Sequence, residues 1–525
     1  MIDMGGHDAK RFAGTWWALF GAALALFTLT MQRHEGWQDS GWFQLRAVIE
    51  PYVSADFTVD LGLALAHPAY IALIRLLARV CPWNPVWGVN WVSALGMAVA
   101  AANVGYLTYR LTGRRSRYPA VLAGVVLAFS HVVWWLSTTA EVYTCVAAML
   151  TTELICLLAL IERPSVMRAG ALTLLAGLHW SFHNYALLAL PVYGWVILWL
   201  VARRRLRGWA VAVAVACFCA GALPYLLLIA ERAETTGWGE AVCSALFGSY
   251  QQEVLSVSPR WLSMIKINAA LFSLNFLNPA WLFFFMGVWR CAVTERDAWR
   301  GCLLAVLALH GVFFARYFVA DQALFALPTL TLMAVMAGIG ADGIFRARPL
   351  SGRRGLLLLA ITGVIPVCAY LGVNRVLHQS RFTISNRRAL PFRDEIRYWV
   401  LPWKHNEDSA HRFVQAVLEQ TEPDAVVVAD STSVIVLQLQ NLVRPGSAGQ
   451  RTFLENRDRI SVRPDAPLLK EYYRTNRQRA WYTVSPIPGY LADCFADGTF
   501  AFERSGVLYR IRPKVDGAQG GQGVL

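Results

Sequence analysis

Tyr70-Ile71-Ala72-Leu73-Ile74-Arg75-Leu76-Leu77-Ala78-Arg79-Val80 is the stretch on which the topology of this chain turns. It is apolar, but at about 1.5 Å per residue it reaches roughly 17 Å, well short of the roughly 30 Å of hydrocarbon in a bilayer. Arg75 and Arg79 fall on one helical face, which fits an amphipathic helix lying in the interface. On either side run apolar segments close to the length of a membrane span. The first, about Phe12 to Met31, follows Lys10-Arg11 and has no clear small-residue cleavage site after it. It reads as an uncleaved first span with the N-terminus in the cytoplasm. Further spans are expected at about 88–109, 119–137, 141–161, 169–182, 184–202, 208–230, 266–289, 299–315, 322–342 and 355–374. With Tyr70–Val80 left out, the spans number about eleven. The connections carrying Arg110, Arg114, Arg115 and Arg117, then Arg163 and Arg168, then Arg203, Arg204, Arg205 and Arg207 all fall on the side of Lys10-Arg11. So do Arg290, Arg296 and Arg300, and Arg346, Arg348, Arg353 and Arg354. That is what the positive-inside bias demands, and counting Tyr70–Val80 as a span would put them all outside.

Composition agrees. Of 525 residues, 56% are hydrophobic and only 16% charged, against about 25% charged in soluble proteins. Mean hydropathy is +0.41. A secreted enzyme, a disordered chain and a fibrous repeat are excluded, and a polytopic α-helical membrane protein is the expectation. The formal charge of +14 would point to nucleic acid on a soluble protein; here the surplus is a topology signal, and no nucleic-acid partner is expected. The ten cysteines lie mostly inside apolar runs, with no spacing that resembles a zinc site or a disulfide framework.

The character changes near residue 378. Residues 1–378 read as the transmembrane domain, 379–516 as an extracytoplasmic α/β domain, and 517–525 as a Gly/Gln-rich disordered tail. His411 to Glu419 patterns as an amphipathic helix. Ala425 to Ala429 patterns as a buried strand ending at the N-cap cluster Asp430-Ser431-Thr432. Ala480–Val484, Phe500–Arg504 and Val507–Ile511 read as further strands.

This topology places a short set of polar residues at the outer edge of the membrane. Asp39 lies in Trp37-Gln38-Asp39-Ser40-Gly41-Trp42, and His67-Pro68 follows in the same loop. Glu141 precedes Val142-Tyr143, His179 and His183-Asn184 lie at the next external turn, and Trp238-Gly239 and Tyr250 lie in a longer loop. Arg316-Tyr317 and Asp321 come last. Ionisable groups at the ends of apolar runs are costly to desolvate, which makes them functional candidates. Each also has a plainer reading. Asp39 suits a turn, Glu141 a helix N-terminus, and His183 a packed, hydrogen-bonded ring. Arg316 suits snorkelling to head groups, and Trp238 interfacial decoration in a chain with 21 tryptophans. The set outweighs its members, because two carboxylates, a histidine and an arginine face one compartment. Such a set suits glycosyl transfer from a lipid phosphate. Arg316 binds the leaving phosphate through a forked contact, and Asp39 takes the proton from the acceptor hydroxyl. Glu141 and His183 orient acceptor or sugar hydroxyls, with His67, Trp238, Tyr317 and Asp321 as further substrate-binding candidates. No cofactor or metal is demanded, although two carboxylates suit a hard divalent cation.

At these residues the sequence resembles the GT-C membrane glycosyltransferases, which use polyprenyl-phosphate-linked sugars. More narrowly, it resembles the bacterial multispan family related to a eukaryotic protein O-mannosyltransferase. The matches are Asp39-Ser40-Gly41, Ala66-His67-Pro68, Ala140-Glu141-Val142-Tyr143, Gly177-Leu178 with His183, and Trp238-Gly239. Arg316-Tyr317 with Asp321 and Phe325-Ala326-Leu327-Pro328 follow, and Pro423 to Pro445 resembles the family's soluble domain. They come in matching order over nearly the whole chain. Trp42 replaces the family's Glu, Ala69 replaces its Pro-Gly, and the first loop is longer, with an extra carboxylate at Asp60. The resemblance implies an inverting transferase on the outer face of a bacterial inner membrane. Its implied donor is a polyprenyl-phosphate sugar, mannose or a similar hexose, and its acceptor a protein Ser/Thr or glycan hydroxyl. A transporter or flippase of a lipid-linked substrate is the alternative, but it favours paired repeats and mid-membrane ionisable groups. No convincing repeat is present, and His310 is the main mid-membrane exception. A scaffold anchored by its spans ranks last.

Overall fold

Capping chemistry sets where the apolar runs become helices. The Asn84 side chain accepts from the Trp87 N–H at 3.0 Å with Pro85 in the first turn, and Asp297 accepts from the Arg300 N–H at 2.7 Å. The computed structural model describes residues 6–49, 62–113, 116–256, 265–266, 269, 273–294, 297–317, 319, 322–347, 352–380, 389–444, 446, 449–458 and 467–514. The Gly517–Gly523 tail, Asp60 and Asp321 lie outside these residues. The chain forms two units: Met1–Arg33, Val53–Arg387 and Asp394–Asn406 make the first, and His34–Tyr52, Arg388–Arg393 and Glu407–Leu525 the second.

The first unit is a multispan helical body. Among the described residues, seven helices are long and apolar enough to cross a membrane, or up to nine if each of two bent pairs is one span. That is fewer than the eleven expected. The runs at 119–137 and 208–230 are the bent pairs, broken by 69° before His131–Ser137 and by 71° before Leu223–Thr236. Pro224 accounts for the second break, since it has no N–H to give and sits in the first turn of the new helix. The runs at 169–182, 184–202 and 266–289 give the helices Val166–Phe182, Leu190–Ala202 and Pro279–Thr294, which are too short for that test.

Contacts within this unit show which connections share an end. Arg110 pairs with Glu162 at 2.6 Å, Arg300 donates to the Leu111 carbonyl at 2.7 Å, and Arg346 to that of Thr112 at 3.0 Å. Arg290 and Arg346 both reach Asp342, at 3.3 and 2.7 Å. Arginines from three connections therefore gather at one end, with Glu162 from the edge of a fourth, in line with the charge pattern. At the other end the Gln32 N–H reaches the Thr138 carbonyl at 2.9 Å, and Asn90 reaches the Gln32 carbonyl at 2.9 Å. The decisive Tyr70–Val80 segment is part of the helix Pro68–Val80, preceded by a turn at Leu63–Leu65, and Leu63–Val80 as a whole is apolar enough to count as a span. Geometry decides otherwise. His67, at its start, bonds to Phe182 at 2.8 Å, and Asn84, just beyond its end, reaches the Arg33 carbonyl at 3.5 Å. Both ends meet the end of the bundle opposite that arginine cluster, so this helix returns to the end it left. Arg75 is buried while Arg79 is exposed, so the two do not share a solvent face as expected.

Two helix pairs approach so closely that only glycine fits. A Cβ on Gly177 would lie 2.0 Å from the Phe218 carbonyl oxygen, and one on Gly221 2.1 Å from that of Leu174. Gly287 and Gly340 interlock in the same way, at 1.8 and 2.0 Å from the oxygens of Met336 and Phe283. Small residues let backbones touch where lipid gives no hydrophobic drive to pack helices. Gly177→Ala is expected to cost about 1–3 kcal/mol by overpacking, read as a lower thermal midpoint of the detergent-solubilised protein.

The second unit carries a five-stranded sheet, β1 (Val426–Ala429), β2 (Thr452–Glu455), β3 (Trp481–Thr483), β4 (Phe500–Ser505) and β5 (Leu508–Pro513), in the order β2-β1-β3-β5-β4. β1 runs parallel to β2 and β3, while β5 is antiparallel to β3 and β4. Both sheet faces are covered, which is why β1 reads as an unbroken apolar run. Ala425, Val427 and Ala429 face Phe413, Val417, Val434 and Leu437. Val426 and Val428 face Leu469, Tyr473 and Phe495. Trp37, from the first loop, belongs to the former cluster: its ring lies 5.4 Å from Phe413 and its indole N–H donates to Ser409 Oγ at 2.8 Å.

Candidate active site

At the end of the first unit opposite the arginine cluster, helix ends and short turns bring imidazoles and aromatic rings together. His67 takes a left-handed backbone conformation, φ 48°, immediately before Pro68. Strain of about 1–3 kcal/mol is typical of such a residue and must be held by its surroundings. Here the ring Nδ1–H donates to the Phe182 carbonyl at 2.8 Å. The His67 ring stacks on that of His183, with centroids 5.0 Å apart. His183 Nδ1 accepts from the Tyr185 N–H at 3.1 Å, so the neutral ring carries its proton on Nε2. Tyr143 lies 5.2 Å from His183 and 5.1 Å from Phe325, and Tyr317 4.8 Å from Phe325. The Tyr185 hydroxyl donates to the Phe325 carbonyl at 3.0 Å, and its ring lies 5.9 Å from His310. Three expected residues, His67, His183 and Tyr317, thus share one cluster with Tyr143, Tyr185, Phe325 and His310.

Glu141 stands two residues before Tyr143 and is buried. Its N–H donates to Ser93 Oγ at 2.9 Å, and that hydroxyl donates back to the Glu141 carbonyl at 3.1 Å. Arg316 closes the helix Ala298–Arg316 and its Nη2 donates to the Val254 carbonyl. A guanidinium has five N–H donors in a fixed fork, so one such bond does not exhaust it. Trp238 opens the helix Trp238–Phe247 and is 66% exposed; the structure does not bring it into the cluster.

Asp39 belongs to the second unit. It is exposed in the first turn of the helix Gln38–Val48, which packs on the helix Ser431–Val443. A Cβ on Gly41 would lie 2.3 Å from the Gly36 oxygen, so the Asp-Ser-Gly element needs its glycine for a tight turn. Four residues before Asp39, buried Glu35 accepts from His411 Nδ1 at 3.1 Å, and the His34 and His411 rings stack at 4.7 Å. Burial, the largest single influence, pushes the Glu35 carboxyl up, but the His411 hydrogen bond, a backbone hydrogen bond and the nearby imidazoles together leave the group below its usual range. Burial, then the nearby His411, lowers His34.

One buried group in the apolar interior went unremarked in the sequence. Glu153, in the helix Tyr143–Glu162, accepts from His179 Nδ1 at 2.8 Å and from the Tyr193 hydroxyl at 2.9 Å. The signal was present, since a carboxylate inside an apolar run marks a polar partner across the bundle.

No protein-family model and no curated protein matches the chain. Its fold matches two structures of ArnT from Cupriavidus metallidurans. One is bound to undecaprenyl phosphate, with a TM-score of 0.61 and 14% identity over 97% of this chain and 100% of that one. The other is in the apo state, with a TM-score of 0.59 and 13% identity over 95% and 98%. The chain has the GT-C fold of a multispan membrane protein with a C-terminal domain.

Proposed function

We propose that this GT-C-fold membrane protein is an inverting glycosyltransferase that uses a polyprenyl-phosphate-linked sugar. The observation that carries the reading is the end-to-end match to a structure that holds undecaprenyl phosphate. The cluster of His67, His183, Tyr143 and Tyr317 supports it, because aromatic walls with a few fixed polar atoms suit a sugar ring. In the proposed reaction the acceptor oxygen attacks the anomeric carbon from the face opposite the phosphate. The bond from that carbon to the phosphate oxygen breaks, and the lipid phosphate leaves with the electron pair. Asp39 takes the acceptor proton and Arg316 neutralises the departing phosphate. Glu141, His183 and His67 orient sugar or acceptor hydroxyls, with Tyr317 and Asp321 as further substrate contacts. The sugar is mannose or a similar hexose and the acceptor a protein Ser/Thr or glycan hydroxyl, on the extracytoplasmic face.

The test is transfer from a radiolabelled polyprenyl-phosphate hexose in membranes containing the protein. Label is expected to move from lipid to a polar acceptor. Movement of the lipid across reconstituted vesicles with no sugar transfer would instead favour a flippase. Arg316→Ala is expected to lower kcat/KM for the lipid donor roughly 10- to 100-fold, because the contact that neutralises the departing phosphate is lost.

A further inference from the structure

Two imidazoles and a carboxylate meet in the second unit. One ligand atom each from His34, Glu35 and His411 lies within 4.8 Å of the other two. We propose that His34, Glu35 and His411 bind a divalent transition cation of the zinc class, which clamps the first-loop segment to the helix Ser409–Gln420. The donor set argues for this class: neutral imidazole and carboxylate are borderline ligands that suit zinc, whereas calcium and magnesium take oxygen alone. A tetrahedral zinc with bonds of about 2.0–2.1 Å holds its ligand atoms roughly 3.3 Å apart. The His411 Nδ1 to Glu35 Oε2 separation of 3.1 Å is already close to that spacing. The other separations are at most 4.8 Å, and a water would complete the shell.

A simple His411–Glu35 ion pair explains two of the three residues. It leaves out His34, whose ring is stacked on His411, where two protonated imidazoles would repel each other. A cation shared among the three accounts for all of them. His411 is partly exposed, at 22%, which gives the ion a way in. This inference stands apart from the role given to Asp39, although both concern the same loop.

The test uses the full chain, purified in detergent and stripped with a chelator, and zinc ion as the probe. One equivalent is expected to bind, and His34→Gln and His411→Gln are each expected to weaken binding by at least roughly tenfold. His378→Gln, an exposed histidine of the first unit, is expected to leave binding unchanged. Cobalt in place of zinc is expected to give a visible d–d absorption band that His411→Gln removes. Should the histidine variants fold poorly, zinc is still expected to raise the thermal midpoint of the wild type and not that of Glu35→Gln. Absence of zinc binding to the stripped wild type, or equal binding by well-folded His34→Gln and His411→Gln, overturns the proposal.

Discussion

With Asp39 changed to Asn, transfer from a polyprenyl-phosphate sugar in isolated membranes is expected to fall about 10²- to 10⁴-fold, the usual weight of a positioned general base. The amide has the carboxylate's shape but cannot take up the acceptor proton. Folding is expected to be little affected. Asp39 is exposed in the first turn of its helix, where the amide keeps the size and most of the hydrogen-bonding capacity of the carboxylate. The neighbouring anchor, Trp37, remains in its core. The informative measurement is therefore activity at matched protein level and matched thermal midpoint. Undiminished transfer by the variant removes Asp39 from the mechanism while leaving the fold assignment intact.

Glu153→Ala is expected to have the largest effect on stability. It strips the buried His179 ring and the buried Tyr193 hydroxyl of a shared acceptor, at 2.8 and 2.9 Å, in a place water does not reach. Removing the shared acceptor of a buried hydrogen-bonded network costs about 3–5 kcal/mol, because both partners stay behind unpaired. A sharply lower thermal midpoint in detergent, with most of the loss recovered by Glu153→Gln, is the expected pattern. The amide oxygen still accepts from one partner, so recovery separates lost hydrogen bonding from lost volume. Equal midpoints for wild type and the alanine variant would show that the network carries no stability.

The sequence made some of this legible and hid the rest, for identifiable reasons. β1 could be read because both of its faces are buried, leaving an uninterrupted Val426–Ala429 run. β2, Thr452–Glu455, escaped because a four-residue edge strand with polar ends carries too little pattern. The single span expected over 119–137 concealed a break, whereas Pro224 marks the break in 208–230. The pairing of His67 with His183 was expected only as a shared membrane face; that their rings stack follows from a left-handed turn at His67 that periodicity does not encode. The grouping of the Asp39 loop with the C-terminal sheet was hidden for the same reason as the His34–Glu35–His411 cluster. Both depend on residues far apart along the chain meeting in space.

That distance has a consequence for how the protein is made. The Trp37–Ser409 hydrogen bond joins positions separated by 372 residues. At synthesis rates of roughly 5–20 residues per second, the first-loop segment waits roughly 20–70 s before the helix that holds Trp37 has been made. Throughout, Trp37 waits for Phe413 and Glu35 for His411, while the bundle between them is assembled. Completion of the second unit is therefore a late event, timed by the length of the membrane domain that interrupts it.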